Sequence, residues 1–437
     1  MKFYFLIFLH ISIGLLAMYV KPIMYVFPYL LIILGFYYVI KKKNNNNEVL
    51  IVSAYVVGVE VFMRMSEILF FHETGKYIVL FFIILGIFYQ GVNRKSFIYF
   101  IVLLILLPGV FISLLQFSND LDLRKSIAFN MLGPIVLLVS TFYTFDRAVT
   151  KTQFHRILLA MGIPIISMVV YIILYQPIKN NLFLSSESNH DTSGGFGPNQ
   201  VSTMLGFGMF VFFSLFLFFS KSFFQKIVFI GISLLFGYRC LLTFSRGGLL
   251  AAVIMIIVLL IISYFNVNSL NKVKIQFITL GMFLVGLLVF SYTVIVTDGM
   301  ITNRYSGKDA TGREKKSKLS GREDIAAAEF QMFLENPIFG IGVGRNKVEK
   351  AVILGKEVAA HNEISRLLAE HGSFGLVAFL IMFFTPLINF GFNKNQLFLI
   401  PFFLFWFLTI NHAAIRIAAP AFIYALSLIK VNWKEDT

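Results

Sequence analysis

Fourteen apolar runs, most of them close to 20 residues long, divide this chain and settle what it can fold into. They fall near 3–20, 22–40, 49–71, 77–91, 97–115, 127–145, 157–175, 201–220, 227–245, 248–265, 275–297, 373–391, 396–411 and 414–430. A helix crosses the hydrocarbon core with about 20 mostly apolar residues. Membrane strands would instead alternate polar and apolar residues over segments of about 10. That alternation is missing, so the runs predict an all-α polytopic membrane protein with 12–14 transmembrane helices. The composition closes the other routes: 58% of the 437 residues are hydrophobic and 14% are charged, against about 25% charged in a soluble domain. A soluble enzyme could not cover so much apolar surface, and the single cysteine, Cys240, cannot form a disulfide scaffold. The first run follows Lys2 as a signal peptide would, but it leads straight into a second run and reads as a retained anchor.

Lysine and arginine placement predicts the orientation. With the N-terminus on the cytoplasmic side and each run crossing once, the short cytoplasmic segments hold 16 cations and the short outer turns hold 6. Both termini are then cytoplasmic. One outer segment, 298–372, is too long for that count and carries 12 cations and 11 acids, the balance of a small domain. The expected divisions are a membrane bundle over 1–297, a large, partly helical outer loop over 298–372 and C-terminal membrane helices over 373–437. The net charge of +15 then reflects contact with anionic lipid, not nucleic acid. The run Asn44–Asn47 receives no function, and no internal repeat suggests an inverted-repeat transporter.

Polar chemistry gathers at the outer side. Ser320 and Glu323 stand at capping-box spacing ahead of a helix over about 322–335 that stops before Pro337. The alternating Gly340, Gly342 and Gly344 read as a tight backbone turn, because no strand precedes them as a phosphate loop requires. A second helix fits AAHNEISRLLAEHG, ending at Gly372, with Glu363, Arg366 and Glu370 at pairing distances. His361, beside Asn362, is placed in its first turn, where the helix dipole favours a neutral, basic imidazole. Arg246 lies at the outer end of a run, where Gly247 and Gly248 permit a sharp turn, with Arg239 seven residues earlier on about the same face. Arg322 opens the first loop helix and Arg416 follows an outer turn at Asn411–His412. Arginines with few local acids suit a phosphate or pyrophosphate, which guanidinium binds in bidentate fashion. Arg64, with Glu60 and Glu67 at i−4 and i+3, reads as a structural ion network within the membrane. Asp120 and Asp122 read as a solvated turn, and neither Ser365 nor Ser373 has a nucleophile-elbow context.

Four segments in order, GFGPNQVSTML, FSRGGLLA, GREDIAAAEFQMFLENPIFGIGVG and HNEISRLLAEHGSFGLVAFL, resemble the O-antigen ligase/O-antigen polymerase family over about 195–385. The resemblance implies a GT-C-like integral-membrane glycosyltransferase acting on the outer face of the bacterial cytoplasmic membrane. It implies a donor glycan on undecaprenyl pyrophosphate, an acceptor that is lipid A core or another lipid-linked glycan, contact with membrane lipids, and neither metal nor cofactor. Carried over residue by residue, Arg246 and Arg322 match the family's essential arginines and His361 its histidine. Asn199, Arg239, Arg345, Asn362 and Arg416 are the further candidates for holding pyrophosphate or glycan. Ligase, polymerase and protein O-oligosaccharyltransferase stay open as acceptor choices. A polysaccharide flippase is the reading from another class, and it would instead line a central cavity with ionisable residues.

Overall fold

The computed structural model describes residues 2–116, 121–175, 185–188, 190–315, 321–355, 358, 362–412 and 415–433. The chain runs through α1 (Lys2–Tyr19), α2 (Lys21–Met24), α3 (Phe27–Lys42), α4 (Glu48–Met65), α5 (Thr74–Gln90), α6 (Phe97–Gln116) and α7 (Leu121–Thr144). It continues through β1 (Ala148–Thr150), α8 (Lys151–Gly162), α9 (Ile165–Tyr175), α10 (Pro198–Phe218), α11 (Phe223–Leu242), α12 (Arg246–Phe265) and α13 (Ser269–Val296). The loop holds α14 (Met300–Ser306), α15 (Arg322–Glu335) and α16 (Asn346–Leu354). The chain then closes with α17 (Glu363–Phe392), α18 (Leu399–Ile410), α19 (Ala418–Leu426) and β2 (Lys430–Asn432). Every one of the fourteen apolar runs holds helix. Among the described residues nine stretches are long and apolar enough to cross a membrane, and three shorter apolar helices accompany them. The protein is an all-α, multi-pass membrane protein.

Prolines and glycines explain where the runs break. The run 157–175 is two helices, because Pro164 has no N–H to give and its ring crowds the preceding turn. Between α10 and α12, small residues let two backbones touch. A Cβ on Gly206 would lie 2.2 Å from the carbonyl oxygen of Gly248, and one on Gly248 would lie 2.2 Å from that of Ser202. Such contacts replace the hydrophobic drive that lipid removes. Gly248→Ala is therefore expected to cost about 1–3 kcal/mol. A thermal melt in detergent checks it, and an unchanged midpoint would contradict the close contact.

At one end of the bundle β1 and β2 pair in parallel, Val149 opposite Val431. There Asn44 is buried, donating to Tyr143 Oη at 2.8 Å and accepting from Val49 N at 3.0 Å. The Asn44–Asn47 run is thus a structural clasp. At the opposite end the glycine turn fastens the loop to the bundle. Ile341 N donates to Ala369 O (2.9 Å), Val343 N to Gly109 O (3.1 Å) and Ser373 N to Pro337 O (2.8 Å). Gly340, Gly342 and Gly344 all have left-handed φ, and a Cβ on Gly340 would meet the Glu370 carbonyl carbon at 2.5 Å.

Several local expectations need correction. Glu67 does not join Arg64. It sits beyond the last turn of α4 at φ 55°, where i+3 helical geometry does not form, and pairs with Lys21 at 2.7 Å. Arg64 pairs with Glu60 at 2.6 Å and lies 3.8 Å from Glu73, which holds Lys76 at 2.6 Å. Ser320 lies outside the described residues, and α15 is preceded by Gly321 at φ 76° with no side-chain cap. The second loop helix starts at Glu363, capped by Asn362 Oδ1 accepting from Ile364 N at 2.8 Å, while position 361 lies outside the described residues. The break at Gly372 is present (φ 60°, ψ −140°), and α17 resumes directly beyond it. Asp120 also falls outside the described residues, while Asp122 is a solvated partner of Lys125 at 3.1 Å.

Candidate functional site

The turn from α11 to α12 builds the site. Thr243 Oγ1 donates to Cys240 O at 2.7 Å, and Phe244 takes a left-handed φ of 55°. The sharp turn therefore falls before Arg246, and not at Gly247 and Gly248 as the sequence suggested. Those glycines lie in the first turn of α12, where a Cβ on Gly247 would press into the His412 ring at 2.4 Å. The carbonyl of Phe244 accepts from Arg304 Nε at 2.8 Å, which fixes an arginine of α14 beside the first residue of α12. Asn199, in the first turn of α10, accepts from Ser245 Oγ at 2.9 Å.

Arg246, Arg304 and Arg322, from α12, α14 and α15, converge on one cavity of about 50 Å³ with Asn199, Ser245, Gly247 and His412. Among the described residues its lining holds three guanidinium groups and no carboxylate. Among the described residues neither Arg304 nor Arg322 forms an ion pair with a carboxylate. Burial lowers the proton affinity of Arg322, and the charges of Arg246 and Arg416 lower it further. Arg304 is lowered by burial and by Arg246, with Glu187 opposing. A cavity whose cations repel one another gains by taking up an anion.

His412 supplies the neutral wall. Its Nδ1 donates to the Leu408 carbonyl at 3.0 Å, leaving Nε2 as an acceptor 3.4 Å from Thr203 Oγ1. Burial takes its pKa down to about 4; the Leu408 hydrogen bond works against that, and the field of Arg322 adds to it. The imidazole is therefore uncharged at neutral pH.

The expected residues divide between this cavity and elsewhere. Arg246, Arg322 and Asn199 line it together. Arg416 stands close enough for its charge to act on Arg322, and Glu363 acts on Arg416 in turn. Asn362 caps α17 and His361 lies outside the described residues. Arg239 is buried within α11, away from the lining, its Nε and Nη2 without partners among the described residues. Seven residues of helix put it two turns below Arg246 only if the helix continues, and the turn at Phe244 interrupts it. Arg345 faces Glu349 at 2.5 Å across α16 and does not reach the cavity either. Arg304 and His412 were missed by sequence reasoning. The available signals were an arginine within a turn or two of a span's end, and a histidine in a tip between two apolar runs. A larger cleft of about 620 Å³ opens at the sheet end between Asn45, Gln90, Arg147 and Gln153, and none of Arg246, Arg304, Arg322 or Arg416 lines it.

Behind the cavity lies a buried ion network. Glu329 of α15 takes Lys350 Nζ at 2.9 Å, Asn346 Nδ2 at 3.0 Å and the Ser365 hydroxyl. Arg366 binds Glu370 at 2.6 Å and also Glu363, and Glu370 accepts from Asn130 of α7 at 2.9 Å and from Gly344 N at 3.1 Å. The helix that begins at Arg322 is thereby tied to the membrane bundle.

Fold and site define a multi-pass membrane protein with an arginine-lined cavity at one end of its bundle. Residues 230–380, about a third of the chain, match the family model described as O-antigen ligase. The matched stretch includes Arg246, Arg304, Arg322, His361 and Asn362, while Asn199, His412 and Arg416 lie outside it. No curated protein matches the chain.

Proposed function

We propose that this protein is a glycosyltransferase that moves a glycan from undecaprenyl pyrophosphate to an acceptor sugar hydroxyl at the outer face of the bacterial cytoplasmic membrane. The reading is supported by the meeting of three arginines from three separate helices in one cavity, with no carboxylate among its described lining residues. Pyrophosphate is already a good leaving group, so the enzyme must stabilise its growing charge and take one proton from the acceptor. Preorganised guanidinium groups do the first electrostatically, with no metal needed. His361, close in sequence to the Asn362 cap, does the second as general base.

The step is an inverting single displacement. The acceptor oxygen bonds to the anomeric carbon as the bond from that carbon to the phosphate oxygen breaks. The hydroxyl proton passes to His361 and the pyrophosphate stays with Arg246, Arg304 and Arg322. Asn199 and Arg416 flank that position. The 16-to-6 cation bias supports cytoplasmic termini and places the loop outside. The loop, 298–372, then acts as the catalytic unit between the bundle of 1–297 and the helices of 373–437.

Purified protein given the lipid-linked donor with both core lipid and repeat-unit acceptors tests the reading and separates ligase from polymerase. Transfer in detergent, with no membrane gradient, excludes a flippase. His361→Ala is expected to slow transfer by about 10²–10⁴. Transfer near the wild-type rate would remove His361 from the mechanism.

A further inference from the structure

The loop helix α15 presents three distinct faces. Towards α17 it turns Ile325, Ala328, Glu329 and Met332, all buried. At 3.6 residues per turn, Ala326, Ala327, Phe330, Phe333 and Leu334 fall together in a sector about 120° wide. Asp324, Gln331 and Glu335 fall in a separate, narrower sector beside it. The apolar sector is open: Phe330 is 51% exposed and Leu334 61%. Scattered exposed apolar residues are ordinary on any protein. A contiguous apolar strip on an extramembrane helix, with its polar residues segregated to another side, marks a partner. Its one charge, Glu323, lies in the first turn beside Arg322.

The strip continues along the chain. Ile338 and Phe339 follow it and are exposed, and the Phe339 ring stacks on Phe374 at 5.4 Å between centroids. Phe374 begins the long apolar part of α17, whose Leu376, Val377 and Leu380 face outward where lipid would lie. On α16, Val348 and Val352 stand one turn apart and are 62% and 77% exposed. The apolar strip of the loop thus joins the lipid-facing surface of a membrane span at the level where that span begins.

We propose that α15 and α16 lie in the membrane interface, with Phe330, Leu334, Ile338, Phe339, Val348 and Val352 immersed among the acyl chains of the leaflet on the loop side. A helix buried on one side, apolar on the second and polar on the third matches that position between protein, lipid and water. The partner is the phospholipid surface itself. Because Arg322 is the first residue of α15, the depth of immersion sets its height at the headgroup level, whatever reaction the cavity performs.

Site-specific labelling tests this without reference to catalysis. Cys240 is fully buried, so one introduced cysteine takes the label. Full-length Leu334→Cys, Val352→Cys and Gln331→Cys variants carry an environment-sensitive fluorophore in phosphatidylethanolamine/phosphatidylglycerol vesicles containing nitroxide-bearing phospholipid. The nitroxide is expected to quench positions 334 and 352 at least about twofold more than 331, with aqueous iodide showing the reverse order. Equal iodide quenching at all three positions would overturn the proposal. So would blue-shifted emission at 334 and 352 with no nitroxide quenching, which would assign the strip to a protein contact.

Discussion

Arg322→Ala is expected to reduce glycan transfer by about 10²–10³, the effect of removing one preorganised donor from a site where negative charge develops. The residue begins α15 and enters the cavity from the loop, while the rest of that helix is held independently by Glu329, Lys350 and Ser365. Truncation should therefore leave the fold intact and remove one of three guanidinium groups. It also relieves the mutual repulsion that, after burial, lowers the proton affinity of Arg304 and Arg322. The variant should be no less stable than the wild type, so the loss is in chemistry alone. Arg322→Lys keeps the charge but loses the planar fork, and should fall between alanine and wild type. Arg246→Ala and Arg304→Ala are expected to act similarly, and combined variants should lose less than the product of the single losses, because the three groups act on one leaving group. Initial rates with defined lipid-linked donor check this. A rate for Arg322→Ala within a few-fold of wild type would take the residue out of the mechanism.

The second large effect is on stability. Glu329→Gln leaves the Lys350 ammonium, 1% exposed, facing an amide inside the protein. Breaking a buried pair by removing one partner costs about 3–5 kcal/mol, because the other charge is left uncompensated. The same carboxylate holds Asn346 and Ser365, so α15, α16 and the start of α17 loosen together. The expected result is a clearly lower melting midpoint in detergent and a loop cut earlier by protease. Replacing both partners, Glu329→Gln with Lys350→Met, should restore much of the midpoint, since no unpaired charge remains. A midpoint unchanged in the single variant would show that the pair is not buried as described.

The fold was legible because its signal is one-dimensional. Each apolar run sits where a helix sits, and Gly372 marks a break as glycine chemistry requires, while the break at Pro164 falls inside a run read as one span. The site was half legible. Arg246 and Arg322 announce themselves as arginines at the first position of helices next to apolar runs. Arg304 is held at the cavity by the carbonyl of Phe244, whose left-handed turn no periodicity records. His412 comes from a tip more than 150 residues further along the chain than Gly247, and only the absent Cβ of Gly247 makes room for it. Arg239 failed for the converse reason: helical spacing was carried through a turn that ends the helix. Glu67 failed in the same way at the end of α4. Local periodicity predicts neighbours inside an element and loses them where the element stops.

In the proposed mechanism the arginine cavity takes the pyrophosphate of the lipid-linked donor. Equilibrium binding of undecaprenyl pyrophosphate to the purified protein tests it most directly. Saturable binding is predicted for the wild type, weakened at least about tenfold in each of Arg246→Ala, Arg304→Ala and Arg322→Ala, as loss of a charge-assisted bidentate contact requires. Equal affinity in the wild type and all three variants would contradict it.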